Sequence, residues 1–285
     1  MSFINKSEEK VKSDKEIKEE SQYETAVLEK AIVKIGHLLA LGFGEAGAGI
    51  IGQNMSRGGE LDPMMPGMKT YAIFGFCILD DFNETTEVLQ SEIMQYVNQV
   101  AEITHSMVDR YGGAANKNIG EAFLLVWKFK HPEEIQAMDE SGNGYNNENI
   151  CIENQILADT SIFSFLKIIA KLNKYEQILR YNSKKHKLSK HIPGFKVRMG
   201  FGIHQGWAIE GAIGSYFKVD ASYLSPNVNM AARLEAATKQ FGTTLLVSGH
   251  LRDITSPEFQ LILREIDCVT VKGSIKPMRF YTIDH

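Results

Sequence analysis

The chain has 285 residues, 44% apolar and 23% charged, with 31 basic and 35 acidic side chains and a net charge of −4. That suits a soluble globular fold with a sizeable core and lacks the basic excess of a general nucleic-acid binder, so no nucleic-acid partner is expected. No apolar stretch nears the ~20 residues of a membrane helix, MSFINKSEEK is no secretory leader, and three scattered cysteines (Cys77, Cys151, Cys268) suggest neither a disulfide framework nor a zinc knuckle.

Residues 1–24 are nearly all polar and read as a mobile charged tail. From Tyr23, apolar residues recur at helical spacing (Val27, Leu28, Ala31, Ile32, Ile35, Leu38), which predicts an amphipathic helix of about five turns. GFGEAGAGIIGQNM then reads as a tightly packed elbow, and the Gly- and Pro-rich stretch 56–67 as a linker, so 25–69 forms an N-terminal segment ahead of a domain at 70–285. Tyr71–Leu79 is a buried-strand run. A long helix spans 84–111 and stops at Gly112–Gly113. Asn116–Ile119 and Ala122–Phe129 form a hairpin turning near Gly120. Residues 131–158, polar and Asn-rich, read as a long surface loop, 160–181 as a helix and 183–194 as a basic connector. Strands follow at 196–204 and around 207–213. A helix lies at about 227–241, then a strand TTLLVS, a short helix, and closing strands around 261–271 and 278–283. The order predicts an α+β fold with a βαββαβ core and helices packed on a sheet. The last expected strand ends just before the C-terminus, so no separate sensor or membrane domain is expected.

Several motifs are discounted. GFGEAG (42–47) matches a dinucleotide fingerprint, but a helix rather than a strand precedes it and Glu45 would face a pyrophosphate. There is no phosphate-binding P-loop. His37, His105 and His204 lie on different elements without companions at ligand spacing and read as ordinary packed or surface histidines. The basic run 184–191 reads as a solvated connector, and Trp127 and Trp207 as core or interface anchors.

Four segments carry more: FGFCILDDFNETTEVLQ (74–90), GGAANKNIGEAFLLVW (112–127), VRMGFGIHQGWAIEGAIGS (197–215) and ASYLSPNVNMAARLEAATKQFG (221–242). In this order and spacing they resemble the catalytic domain of class III adenylate/guanylate cyclases, and the preceding helix and elbow look like the corresponding segment of large protist cyclases. The resemblance implies a ferredoxin-like βαββαβ core working as a head-to-tail dimer. One half-site would hold Mg²⁺ or Mn²⁺ on two Asp residues. The other would read the purine and support attack of the ribose 3′-OH on the α-phosphate, with release of pyrophosphate.

The family pattern Phe-x-Asp-Ile-x-x-Phe-Thr reads here Phe76-Cys77-Ile78-Leu79-Asp80-Asp81-Phe82-Asn83, so Ile78 stands where the first metal-binding Asp is expected. Asp80 keeps the strand facing but is displaced by two strand rises, ~6–7 Å, too far for metal–oxygen distances near ~2 Å. Asp80 and Asp81 read more plainly as turn and N-cap residues. The family's Ile-Gly-Asp-Ala is Ile119-Gly120-Glu121-Ala122, which keeps a charge on a longer arm. One displaced carboxylate is left where two are needed, so no metal ligands are assigned, and Asp80, Asp81, Glu84 and Glu87 crowding the triphosphate position disfavour a polyanionic nucleotide.

The complementary half matches better. Asn229 and Arg233, four apart on one helix face, match the transition-state pair. Read plainly, Arg233 is a surface ion-pairing residue with Glu235 nearby. Lys117 matches the purine-reading Lys of adenylate-specific members, and Ser222 falls where those members often carry Asp. Ser222 can still make one hydrogen bond there, and Lys117 implies ATP over GTP as the nucleotide. The sequence thus predicts a cyclase-homology domain without catalytic activity, a structural or regulatory subunit of a larger assembly that uses the old dimer surface. No cofactor is expected, and Mg²⁺ or Mn²⁺ only where a second cyclase-like chain completes the site. The alternative is the non-metal half of a heterodimeric adenylate cyclase. A third reading, an active homodimer with Asp80 and Glu121 rebuilt into a metal site, is less favoured. A cytoplasmic location, on a complex or the cytoskeleton, is expected.

Overall fold

The computed structural model describes residues 25–38, 66–142, 144–183, 185–215, 217–271 and 277–284, with isolated positions between 42 and 52. The charged tail, the 56–65 part of the linker and most of the elbow lie outside the described residues. Two compact units are present, 1–42 and 43–285. In the first, 25–38 is helical (α1), and its apolar residues Leu28, Ile32, Ile35 and Leu38 are all exposed.

The second unit is built on an eight-stranded sheet of order β2-β3-β1-β4-β6-β8-β7, with β5 paired to β4. Its strands are β1 (Met68–Leu79), β2 (Ala114–Ile119), β3 (Ala122–Lys128), β4 (Met199–Ser215), β5 (Lys218–Leu224), β6 (Leu245–Ser248), β7 (Arg264–Val269) and β8 (Met278–Thr282). β1 is central and antiparallel to both β3 and β4, whereas β4 and β6 run parallel.

Alternation along β1 divides the layers. Tyr71, Ile73, Cys77 and Leu79 join the larger core under α3 (Ile93–Arg110) and α5 (Ile152–Leu172). Ala72 and Phe74 face the smaller core under α8 (Pro226–Phe241). Trp127 is fully buried, edge-on to Phe165 at 5.7 Å, and donates its indole N–H to the Tyr111 carbonyl at 3.2 Å. Trp207 is half-buried against the larger core, so both tryptophans are anchors as expected. The other face admits a helix at backbone distance because β4 carries glycine at alternate positions. A Cβ at Gly202 would overlap the Ala231 carbonyl and the Glu235 backbone, and one at Gly206 the Asn227 side chain.

Several elements differ from expectation. The 131–158 segment is not a loop: it holds α4 (Pro132–Ser141), a 3₁₀ turn at Asn147–Asn149 and the start of α5. Pro132 opens α4, Ile135 and Met138 bury its inner face, and Gly142 (φ 68°) closes it. The asparagines hid the helix because Asn154 is buried with its amide saturated. Its Oδ1 accepts from the Lys130 and His131 amides (3.0 and 3.3 Å), and its Nδ2 donates to the His131 carbonyl (2.9 Å) and Glu134 (3.0 Å).

The 84–111 helix is two, α2 (Phe82–Leu89) and α3, parted by a 3₁₀ turn at Gln90–Glu92 with Gln90 at φ 50°. The apolar period runs through the break and conceals it. α5 ends at Leu172, and a short α6 (Glu176–Leu179) follows. The connector contains a one-turn α7 (Lys187–His191) whose Lys187 pairs with Glu92 at 2.9 Å. The two strands expected at 196–213 are one, because Gly206 serves helix packing and not a turn. β5 was not foreseen. Short helices α9 (Gly249–Arg252) and α10 (Pro257–Gln260) precede β7.

Candidate functional site

Ile78 lies between Ala122 of β3 and Gly200 of β4 and is half-buried. The ladders persist past it: Leu79 donates to the Glu121 carbonyl (3.1 Å) and Asp80 to the Arg198 carbonyl (3.0 Å). Asp80 is turned toward α8, where its Oδ1 sits 3.2 Å from Lys239 Nζ. Asp81 takes the N-cap position of α2 in the left-handed region (φ 53°, ψ 33°), a conformation Asp tolerates. Its side chain makes no capping bond, so the expected N-cap is met in place but not in chemistry. Glu121 is half-buried at the β2–β3 turn beside Gly120 (φ 59°).

Divalent cations demand several oxygen ligands in tight geometry. Ile78 supplies none, Asp80 is engaged by Lys239, and no group of three or more His, Cys, Asp or Glu able to hold a metal is present among the described residues. The residues present do not fit a two-cation site.

Behind Asp80 lies a polar group that motif reading missed. Glu235, read as a neighbour for Arg233 on the surface, is instead 2% exposed and points at the sheet beside Gly200. Burial lifts its carboxyl to about 7, with Asp80 adding to the rise and Lys239 opposing it. Lys239 is itself raised, chiefly by its bond to Asp80. Burial, reinforced by Glu235, also pushes the Cys77 thiol well up. Glu235 and Lys239 are four apart on α8, a spacing visible in the sequence but unremarkable there.

The complementary half is carried by α8 and the two hairpins. Ser225 caps α8, its Oγ accepting from the Asn227 amide at 3.0 Å, and Pro226 occupies the first turn. Asn229 is exposed, with Arg233 one turn on and half-buried. Beside Asn229 runs an open groove of about 420 Å³ walled by Trp207, Ile209, Tyr223, Leu224 and Val228. Lys117 stands opposite Leu124, on the α8 side of the sheet. Its Nζ lies 3.8 Å from Asp220 of β5, which also meets Lys218 at 3.9 Å. The expected Ser222 is instead buried, opposite Gly211. Asp220 went unrecognised because β5 did; its signal was being two residues from Ser222, on the same strand face.

The histidines are as expected. His105 contacts Asn118 at 3.1 Å, and His37 lies on exposed α1. His204 is fully enclosed between Ser248 (2.8 Å) and Asn227 (3.3 Å), and burial with His250 nearby depresses it to about 3. The described cysteines are all free. No described helix is long and apolar enough to cross a membrane.

A mixed sheet with α8 laid over glycines on one face and two long helices on the other is the α+β cyclase architecture. A family profile described as "Adenylate and Guanylate cyclase catalytic domain" matches residues 70–285, and the chain belongs to that family. A second profile, "RasGEFs all helical domain", matches residues 2–56. An adenylate cyclase of Anabaena cylindrica is 25% identical over 211 residues, covering 73% of this chain and 36% of that protein. The chain thus spans little more than a third of that relative's length. Among solved structures, a bacterial light-regulated adenylyl cyclase aligns with TM-score 0.64 and 22% identity, covering 90% of this chain and 62% of the other. The adenylyl cyclase CyaB from P. aeruginosa aligns with TM-score 0.57 and 16% identity, covering 78% and 97%. These two likenesses concern the fold.

Proposed function

We propose that this chain is a cyclase-homology subunit without catalytic activity of its own, structural or regulatory in a larger assembly, with 70–285 as its cyclase-like domain and 25–69 as the segment leading into it. The observation that carries this is Ile78. It holds the central-strand position between Ala122 and Gly200, and the next carboxylate along the strand is bound to Lys239. Ile78 supplies no oxygen there, and the Asp80 carboxylate is already neutralised by Lys239, so triphosphate charge would lack the paired acids that hold its cations. The test is cyclic nucleotide formation by the pure protein from ATP and from GTP with Mn²⁺. Background rates are expected, and robust turnover rejects the proposal.

A second reading is favoured by the exposed face of α8. Asn229 lines an open groove with Arg233 one turn further along α8, and Lys117 and Asp220 supply a donor–acceptor pair suited to a purine edge. A second cyclase-like chain with intact acids would bring the metal, and this chain would contribute Lys117, Asn229 and Arg233 toward ATP, with Asp220 in place of Ser222. Co-expression with such a chain tests it. The pair's activity should fall at least ~100-fold with Arg233→Ala, the scale of losing one transition-state donor; an unchanged rate excludes the reading.

A further inference from the structure

A cavity of about 460 Å³ opens where the end of α5 (169–173), the stretch entering β4 (196–201) and the close of α8 (238–244) converge. Its charge is one-sided. Lys196, Arg198 and Lys239 line it, against Asp80 as the single acid. Lys196 and Arg198 have no acidic partner among the described residues, although the chain as a whole is acidic. The Thr243 hydroxyl in its wall is buried without a hydrogen-bond partner. Leu172, Val197 and Met199 form an apolar floor, each under 5% exposed.

We propose that this cavity binds a phosphate-bearing small molecule, and that the occupant competes with Asp80 for Lys239. A guanidinium fork, two ammonium groups and a hydroxyl provide the multiple charge-assisted donors that a tetrahedral dianion accepts. The volume exceeds a bare phosphate and lies in the range of small-ligand sites, so an organic body can lie over the apolar floor. Lys117, Asn229 and Arg233 do not line the cavity, nor do Ile78, Phe82, Asn83 or Glu121; Asp80 alone joins it to the position where the resemblance expects the triphosphate. Asp80 is the link: it follows the central strand directly, and an anion that draws Lys239 away releases its carboxylate at the edge of the degenerate metal position.

The test is calorimetric titration of the full chain with inorganic phosphate and with phenyl phosphate, at constant ionic strength and without nucleotide or divalent metal. Saturable binding is expected, tighter for phenyl phosphate than for phosphate. It should weaken at least ~10-fold in the Lys196→Ala/Arg198→Ala double variant and tighten several-fold in Asp80→Asn, which removes the competing carboxylate. Arg233→Ala should leave it unchanged. Wild-type affinity in the double variant, no gain in Asp80→Asn, or equal displacement by chloride overturns the proposal. Because Asp80→Asn acts in the opposite direction, a misfolded double variant cannot imitate the expected pattern. No cyclic nucleotide is measured, so failure here leaves the proposed function standing.

Discussion

Replacing Glu235 by Gln should stabilise the protein, and only at neutral and higher pH. The buried carboxyl titrates near 7 in the folded chain against an ordinary 4.5. The native state therefore holds this proton more tightly than the unfolded chain. Stability from this group is complete below about 4.5, declines as pH rises toward about 7, and is flat above. A displacement of about 2.5 pH units corresponds to roughly 3 kcal/mol at 1.36 kcal/mol per unit. Groups facing this carboxyl act in both directions: Lys239 eases its ionisation, while Asp80 resists it. Gln preserves the shape against Gly200 and carries no charge, so Glu235→Gln should gain about 3 kcal/mol at pH 8 and under ~0.5 kcal/mol at pH 4.5. Urea unfolding of both proteins at the two pH values measures this. A gain independent of pH, or a loss at pH 8, would show that Glu235 is not held neutral by its surroundings.

Gly202→Ala places a methyl against the Ala231 carbonyl and Glu235 backbone, so α8 must lift from β4; a loss of about 1–3 kcal/mol in urea unfolding is expected. Asn154→Ala strips partners from the Lys130 and His131 amides and from Glu134, and should cost at least ~2 kcal/mol in the same assay. Ile78→Asp combined with Glu121→Asp places carboxylates at both family positions. The purified double variant should show Mn²⁺-dependent cyclic nucleotide formation above the wild-type background.

The sheet and α8 were legible because the residues that build them also pack. Tyr71–Leu79 is both the central strand and a hydrophobic run. In NVNMAARLEAATKQF, Val228, Met230, Ala231 and Leu234 bury one side of α8 while Asn229 and Arg233 are left toward solvent. The rest was obscured where one residue type serves two purposes. Asn154 looks like a loop residue and is a saturated helix-to-helix brace. Gly206 looks like a turn and is a site of close helix approach. Gln90 breaks a helix through its backbone angle, which no side-chain pattern records.

Two acids stand two residues from the positions where the family resemblance expects a carboxylate. A strand repeats its facing every second residue, so a carboxylate moved by two positions stays on its face while travelling ~6–7 Å. Asp80 stands two residues beyond Ile78, and Asp220 two before Ser222, and each meets a lysine of the same chain: Lys239 at 3.2 Å and Lys117 at 3.8 Å. The consequences differ with surroundings. Asp220 is half exposed, and a screened pair of this kind contributes little, ~0–1 kcal/mol, so Lys117 can leave it for a ligand. Asp80 is 24% exposed beside a Lys239 that is 67% exposed, but Glu235 lies behind it and feels both charges, so withdrawing Lys239 to free Asp80 would leave two carboxylates near each other. Lys117 is therefore easier to withdraw from Asp220 than Lys239 is from Asp80, unless a counter-charge or a neutral Glu235 relieves the repulsion.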